Sequence, residues 1–221
     1  NQSIDVSRKQ MPFRKYKPFK PIALEDRTWP DQVIDKAPRW CSVDLRDGNQ
    51  ALIDPMTPNE KQKMYDLLVE IGFREIEVGF PAASQPDFDF VRRIIEEDKI
   101  PDDVTIQVLC QAREELIERT SEAVEGAKNV IFHLYNSTSK LQRKVVFNMS
   151  REEVINMAIE ATKVVKRYTD RLEKTGANIT LEYSPESYTA TEMDFAVDIC
   201  AAVMDVWQPT VDKKVILNLP S

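Results

Sequence analysis

Residues 41–54, CSVDLRDGNQALID, set Asp44, Arg46, Asp47, Asn49, Gln50 and Asp54 directly behind a short apolar run. An arginine followed by an aspartate at that place offers two chemistries. The guanidinium presents a fork of donors able to hold a carboxylate or an oxyanion. The aspartate can ligate a divalent cation. A plain ion pair on the approach to a helix is the bland alternative, and it stays open for any Arg-Asp neighbour pair. Further along, His133 is the only histidine, set in VIFHLYN. A lone histidine in such a run is more often a satisfied core residue than a ligand. Glu182, Ser184 and Glu186 alternate in LEYSPES and so share one face of a strand. Carboxylates on an inward face need a cation, and Arg46 is the obvious partner. With one histidine to serve every role, no Ser-His-Asp triad is expected. No HxH, HExxH or CxxC supplies a ready metal site either.

These residues need a scaffold, and the pattern behind them is regular. Apolar, β-branched runs occur at 39–45, 74–80, 104–110, 129–135, 178–184 and 214–220, as buried parallel strands do. Amphipathic stretches lie between them. TPNE (57–60) and SREE (150–153) are capping boxes, and SQPD (84–87) and TEMD (191–194) place an aspartate at the same third position. Gly72, Gly126 and Gly176 each follow an expected helix, where a left-handed residue ends it. The five glycines form neither a GxGxxG nor a P-loop, which removes the main support for a dinucleotide-binding fold. Alternating strands and helices imply a parallel sheet with right-handed crossovers, either a barrel or an open doubly wound sheet. Polar residues close several different strands: Arg46 and Asp47, Gln111, His133 and Asn136, Ser184 and Glu186, and Asn218. That distribution favours a (β/α)8 TIM-barrel type, whose site gathers at the carboxyl ends of its strands. Six strands and five helices are legible, so the expectation is a truncated barrel over residues 38–221.

Composition sets the limits. The 221 residues carry a net charge of −7, against a nucleic-acid binder, which shows a basic face. No apolar run approaches the ~20 residues of a membrane span. Cys41, Cys110 and Cys200 are far apart and unpaired in pattern, as reduced thiols of a cytoplasmic protein are. Residues 1–37 begin with a basic stretch lacking a secretory apolar core and read as an arm that packs on the domain or on a partner subunit.

Five segments in order, SVDLRDGNQALIDPM, EIEVGFPAASQPDFDFVR, HLYNSTS, EYSPESYT and the final NLP, resemble the 2-isopropylmalate synthases. These belong to a group of metal-dependent barrel synthases and lyases that share an LRDG motif on the first strand. The resemblance runs from about Arg27 to the last residue. Most of the wider group reads LRDGEQ; Asn49 in place of that glutamate resembles the longer subclass of isopropylmalate synthases and counts against homocitrate or citramalate synthase.

The resemblance implies an acyltransferase of leucine biosynthesis. It condenses acetyl-CoA with 2-oxoisovalerate and hydrolyses the thioester, with a divalent Mg, Mn or Zn ion chelating the keto acid, in a homodimer. By motif position it makes Asp47 a metal ligand. Arg46 would polarise the ketone and hold oxyanion charge, Glu186 would orient Arg46 near the proton transfer, and His133 and Ser184 would line the keto-acid pocket. The family's two further metal ligands stand in an HxH motif beyond the NLP segment, and accessory and leucine-sensing domains follow it. This chain by itself is therefore expected to be inactive. Two other readings remain: a non-catalytic partial barrel that binds a partner, and a homocitrate synthase or hydroxymethylglutaryl-type lyase relative.

Overall fold

Six parallel strands pair in the order in which they occur in the chain: β1 (Cys41–Ser42), β2 (Glu75–Gly79), β3 (Thr105–Gln111), β4 (Asn129–Ser137), β5 (Asn178–Glu186) and β6 (Val215–Leu217). Right-handed crossovers between sequential neighbours put every connecting helix on the same face of the sheet. The sheet therefore curls with its helices outside, as a barrel does, where a doubly wound sheet would reverse its strand order. The structure, a computed structural model, describes residues 15–17 and 36–221. Its contacts divide the chain into Asn1–Arg39 and Trp40–Ser221, and all six strands belong to the second unit. The packing expected of the arm lies outside the described residues.

The five long helices are α1 (Pro58–Ile71), α2 (Gln85–Glu96), α3 (Glu114–Ala123), α5 (Arg151–Glu173) and α6 (Met193–Trp207); α4 (Lys140–Gln142) is one turn that runs into a π-type turn at Arg143–Phe147. The two capping boxes close as expected, Thr57 with Glu60 and Ser150 with Glu153, and the Ser84 hydroxyl accepts from the Asp87 amide. Gly72 ends α1 at φ 109°, a left-handed conformation that costs a residue with a Cβ. The expected cap at Thr191 does not form. Glu192 is the N-cap of α6, and the Thr191 hydroxyl donates to the Ser187 carbonyl instead.

Two environments follow from the alternation of side chains along each strand. Outward residues such as Val78, Ile106, Phe132, Leu134, Leu181 and Tyr183 join Tyr65, Phe90, Ile117 and Phe195 of the helices in one buried apolar cluster. The inward face is different. Leu109, His133 and Glu182 are register neighbours across β3, β4 and β5, and Glu77 pairs with Gln107 one layer below. All of these residues are buried. Polar groups placed there must find partners within the barrel, and those partners build the site.

Candidate active site

The strand expected over 39–45 stops at Ser42, and the chain swings into a π-type turn at Asp44–Gly48, in which the Gly48 amide donates to the Val43 carbonyl at 3.1 Å. Such turns recur at functional sites because they re-aim consecutive side chains. Here Leu45 is sealed in the core while Arg46 and Asp47 both line a cavity of about 370 Å³ at the carboxyl ends of the strands. Asn49, where the wider group has glutamate, accepts the Met56 amide at 2.7 Å and so closes the loop between the turn and α1.

The cavity brings together Arg46, Asp47, His133, Ser184, Glu186 and Asn218, with Gln50, Phe80, Leu109, Tyr135, Pro220 and Ser221 completing its walls. Every site residue expected from the sequence is therefore in one place. Two strand-end residues are not. Asn136 faces outward and accepts the Tyr183 hydroxyl at 2.7 Å, and Gln111 is not among the lining residues.

The wiring differs from expectation at one carboxylate. Glu186 does not orient Arg46; it accepts the Ser137 hydroxyl at 2.6 Å. The residue that holds Arg46 is Glu77, fully buried on β2, whose Oε1 accepts from the guanidinium Nε. Its other oxygen accepts from Gln107 Nε2 at 2.6 Å and lies 2.7 Å from His133 Nδ1. Arg46 Nη1 reaches Asp47 at 2.8 Å. Sequence reasoning passed over Glu77, though a signal was present. EIEVG alternates carboxylates with Ile76 and Val78, and a strand covered on both faces cannot carry an inward carboxylate without a cation.

One chain of hydrogen bonds crosses the floor of the cavity. From Glu77 it passes through His133, whose Nε2 lies 2.7 Å from Ser184 Oγ, and Ser184 Oγ also accepts from Asn218 Nδ2 at 2.8 Å. His133 is thus both buried and wired into the site. No aspartate takes part, as expected; the carboxylate on the far side of the ring is Glu77, from β2. Burial by itself would raise the Glu77 carboxyl, but His133, Arg46 and Gln107 outweigh it and hold the group below the usual carboxylate range. Glu182, 3.4 Å from His133 Nε2, goes the other way: burial, reinforced by Glu77 and Glu75, pushes its carboxyl up against the pull of His133. Neighbouring carboxylates of opposite tendency leave one ionised and one inclined to keep its proton.

Among the described residues no group of three or more His, Cys, Asp or Glu is placed to hold a metal ion. Asp47 offers a single carboxylate, 65% exposed and turned toward Arg46. One carboxylate is not a site, so these residues alone do not fit a resident cation.

A family model described as HMGL-like matches residues 37–220. The chain belongs to the HMGL-like family. Its HMGL-like relatives include proteins named 2-isopropylmalate synthase from Parafrankia sp. (strain EAN1pec), 60% identical over 211 residues, and from Pseudarthrobacter chlorophenolicus, 59% identical over 214 residues. Each alignment covers 96% of this chain and 37% of the relative, so the chain spans little more than a third of the length of these relatives. A crystal structure of the Bacillus subtilis HMG-CoA lyase superposes with a TM-score of 0.54 at 17% identity, over 82% of this chain and 58% of that one. At that identity the likeness speaks for the HMGL-like barrel fold alone.

Proposed function

We propose that this chain forms the keto-acid-binding part of a 2-isopropylmalate synthase, which joins acetyl-CoA to 2-oxoisovalerate in a Claisen-type condensation and cleaves the thioester to 2-isopropylmalate and CoA. The carrying observation is Arg46, anchored from below by a fully buried Glu77 and opening on the cavity beside His133 and Ser184. The high identity to proteins of that name supports the same reading. At about 370 Å³ the cavity is at the small end of small-molecule sites, ~300–1,000 Å³. It takes a short keto acid with an acetyl group and leaves the nucleotide of CoA outside.

In this reading Arg46 polarises the ketone and receives the oxyanion charge as the new carbon bond forms, a contribution of about 3–4 kcal/mol per donor in a water-poor site. Glu77 keeps the guanidinium from following the substrate. His133 and Ser184 orient the keto acid, Phe80, Leu109 and Tyr135 bound its alkyl end, and Glu186 takes part in proton transfer near the acetyl methyl. Asp47 is the one residue here that would offer an oxygen to a divalent Mg, Mn or Zn ion, and such an ion would add Lewis-acid polarisation of the ketone; a single carboxylate does not hold it. The proposal extends to a cytoplasmic homodimer. No helix among the described residues is long and apolar enough to cross a membrane.

The test is thiol release from acetyl-CoA by the full-length gene product, with 2-oxoisovalerate, pyruvate and 2-oxoglutarate compared. Preference for 2-oxoisovalerate is expected. Preference for either competitor would replace this reading with another member of the group. Arg46→Ala should lower kcat by about 100-fold or more while KM for the keto acid moves far less. Equal changes in both would reduce Arg46 to a binding residue. The 221-residue chain alone is expected to form no 2-isopropylmalate.

A further inference from the structure

The Glu77–His133–Ser184 chain has a geometry that binding a keto acid does not require. A serine and an imidazole within about 2.6–3.2 Å, with the imidazole held on its far side by a carboxylate, are the parts of an activated nucleophile. Both links here measure 2.7 Å. All three side chains are at least nine-tenths buried, Glu77 at 0%, His133 at 4% and Ser184 at 2% residue exposure. The two shortest ring contacts, both 2.7 Å, set the orientation over the longer ones, Glu182 Oε1 at 3.4 Å from Nε2 and Gln107 Nε2 at 3.3 Å from Nδ1. A carboxylate at Nδ1 places the ring proton there, which leaves Nε2 of the neutral ring as an acceptor. Asn218 Nδ2 occupies a lone pair of Ser184 Oγ, so the hydroxyl proton is directed to Nε2. Gln107 fixes the same Glu77 oxygen that faces the ring. Ser184 also lines the cavity, as do Arg46 and the apolar Phe80, Leu109 and Tyr135.

We propose that Ser184 is an acyl-accepting nucleophile, and that this cavity transfers small acyl groups from thioesters or activated esters to water through an acyl-Ser184 intermediate. In the first half, a lone pair of Oγ forms a bond to the acyl carbonyl carbon while the hydroxyl proton passes to His133 Nε2. The tetrahedral adduct collapses with cleavage of the C–S bond, and the departing sulfur takes the proton from Nε2 and leaves as thiol. In the second half a water attacks the acyl-serine carbonyl and gives its proton to Nε2. The C–Oγ bond breaks, Oγ recovers that proton, and a carboxylic acid is released. No oxidant, reductant or metal enters either half. Arg46, on the cavity wall, offers the cationic donors for the transient oxyanion. Glu77 and Asn218 are positioning residues. This activity goes beyond the condensation proposed above and needs no keto acid.

The experiment uses the 221-residue chain, metal-free, with p-nitrophenyl acetate and separately with acetyl-CoA. Intact-mass and peptide-mass spectrometry after acid quench are expected to find one acetyl group on the peptide containing Ser184. A fluorophosphonate probe is expected to label the same peptide. Ser184→Ala should abolish both adducts, and His133→Gln should slow acylation at least 100-fold, with circular dichroism showing that each variant is folded. Should either variant fail to fold, prior keto-acid occupancy supplies the second measurement: 2-oxoisovalerate at saturating concentration should protect Ser184 from the probe. Absence of a Ser184 adduct in the wild-type chain overturns the proposal, as does acetylation at an unchanged rate in His133→Gln or an adduct confined to Cys41. None of these outcomes bears on whether the full-length protein makes 2-isopropylmalate.

Discussion

Replacing Glu77 with glutamine keeps the shape of the side chain and removes its charge, and the consequences are calculable from its three partners. The carboxylate accepts from Arg46 Nε with one oxygen, and from Gln107 at 2.6 Å and His133 at 2.7 Å with the other. An amide has one acceptor, so its NH2 must face donors wherever it is turned. Removing one member of a buried ion pair costs about 3–5 kcal/mol. Arg46 is 16% exposed at the cavity and keeps Asp47, so water and that second carboxylate relieve part of the loss. We therefore expect a net cost of about 2–3 kcal/mol, which for a chain of this size lowers Tm by roughly 4–12 °C. The effect must also depend on pH. Glu77 has a folded pKa below its ordinary 4.5, so its stabilisation is complete above about pH 5 and is lost as the pH falls through the depressed value. Thermal melts of the wild-type chain and Glu77→Gln across acid to neutral pH should show curves well separated at neutrality and converging in acid. A Tm difference below about 1 °C at neutral pH, or one that persists unchanged in acid, would refute the claim that Glu77 is an ionised clamp.

Glu182 should behave in the opposite sense. Its carboxyl is raised by burial and by Glu77 and Glu75, so the fold favours its neutral form, and stability is given up as the pH rises from 4.5 through the elevated value. Glu182→Gln should match the wild type in acid and melt higher at neutral pH; a lower Tm at neutrality would show that ionised Glu182 is needed by His133. Arg143 ties the loop after β4 to the start of α6: it donates to both Glu192 oxygens at 2.9 and 2.8 Å and to the Thr138 carbonyl, and lies 4.5 Å from the Phe195 ring centre. Its guanidinium is the main cause of the Glu192 carboxyl falling to about 2. Arg143→Ala should cost about 2 kcal/mol and speed hydrogen exchange at 138–148 more than elsewhere, whereas uniform acceleration would mean a global loss instead of an untied loop.

Much of the scaffold was legible because its signals are local. Thr57, Pro58 and Glu60 mark a helix start through contacts within one turn, and the runs at 104–110 and 129–135 declare buried strands by their own composition. Even the choice of a barrel followed from a local fact, that polar residues close several strands and not one pair. Where a residue's role depended on a neighbour close in sequence, reading along the chain was enough.

The misreadings share a cause. β1 ends at Ser42 because the turn at Asp44–Gly48 re-aims the chain, and no residue type announces a π-type turn. Thr191 does not cap α6 because its hydroxyl is engaged by the Ser187 carbonyl and by Thr138, the latter distant in sequence. Glu186 was assigned to Arg46, yet Glu77 was chosen, since only the curl of the sheet brings β2 beneath the turn after β1.

By itself, then, the sequence determined which segments are strands and helices, the barrel type, and the residue types that could do chemistry, because periodicity, caps and motifs are properties of neighbours. Tertiary structure decided the pairing of charges. Glu77, His133 and Ser184 stand on three strands, and their 2.7 Å links exist only once β2, β4 and β5 are curled around a shared interior, where a buried carboxylate must take whichever donors the closed sheet presents to it.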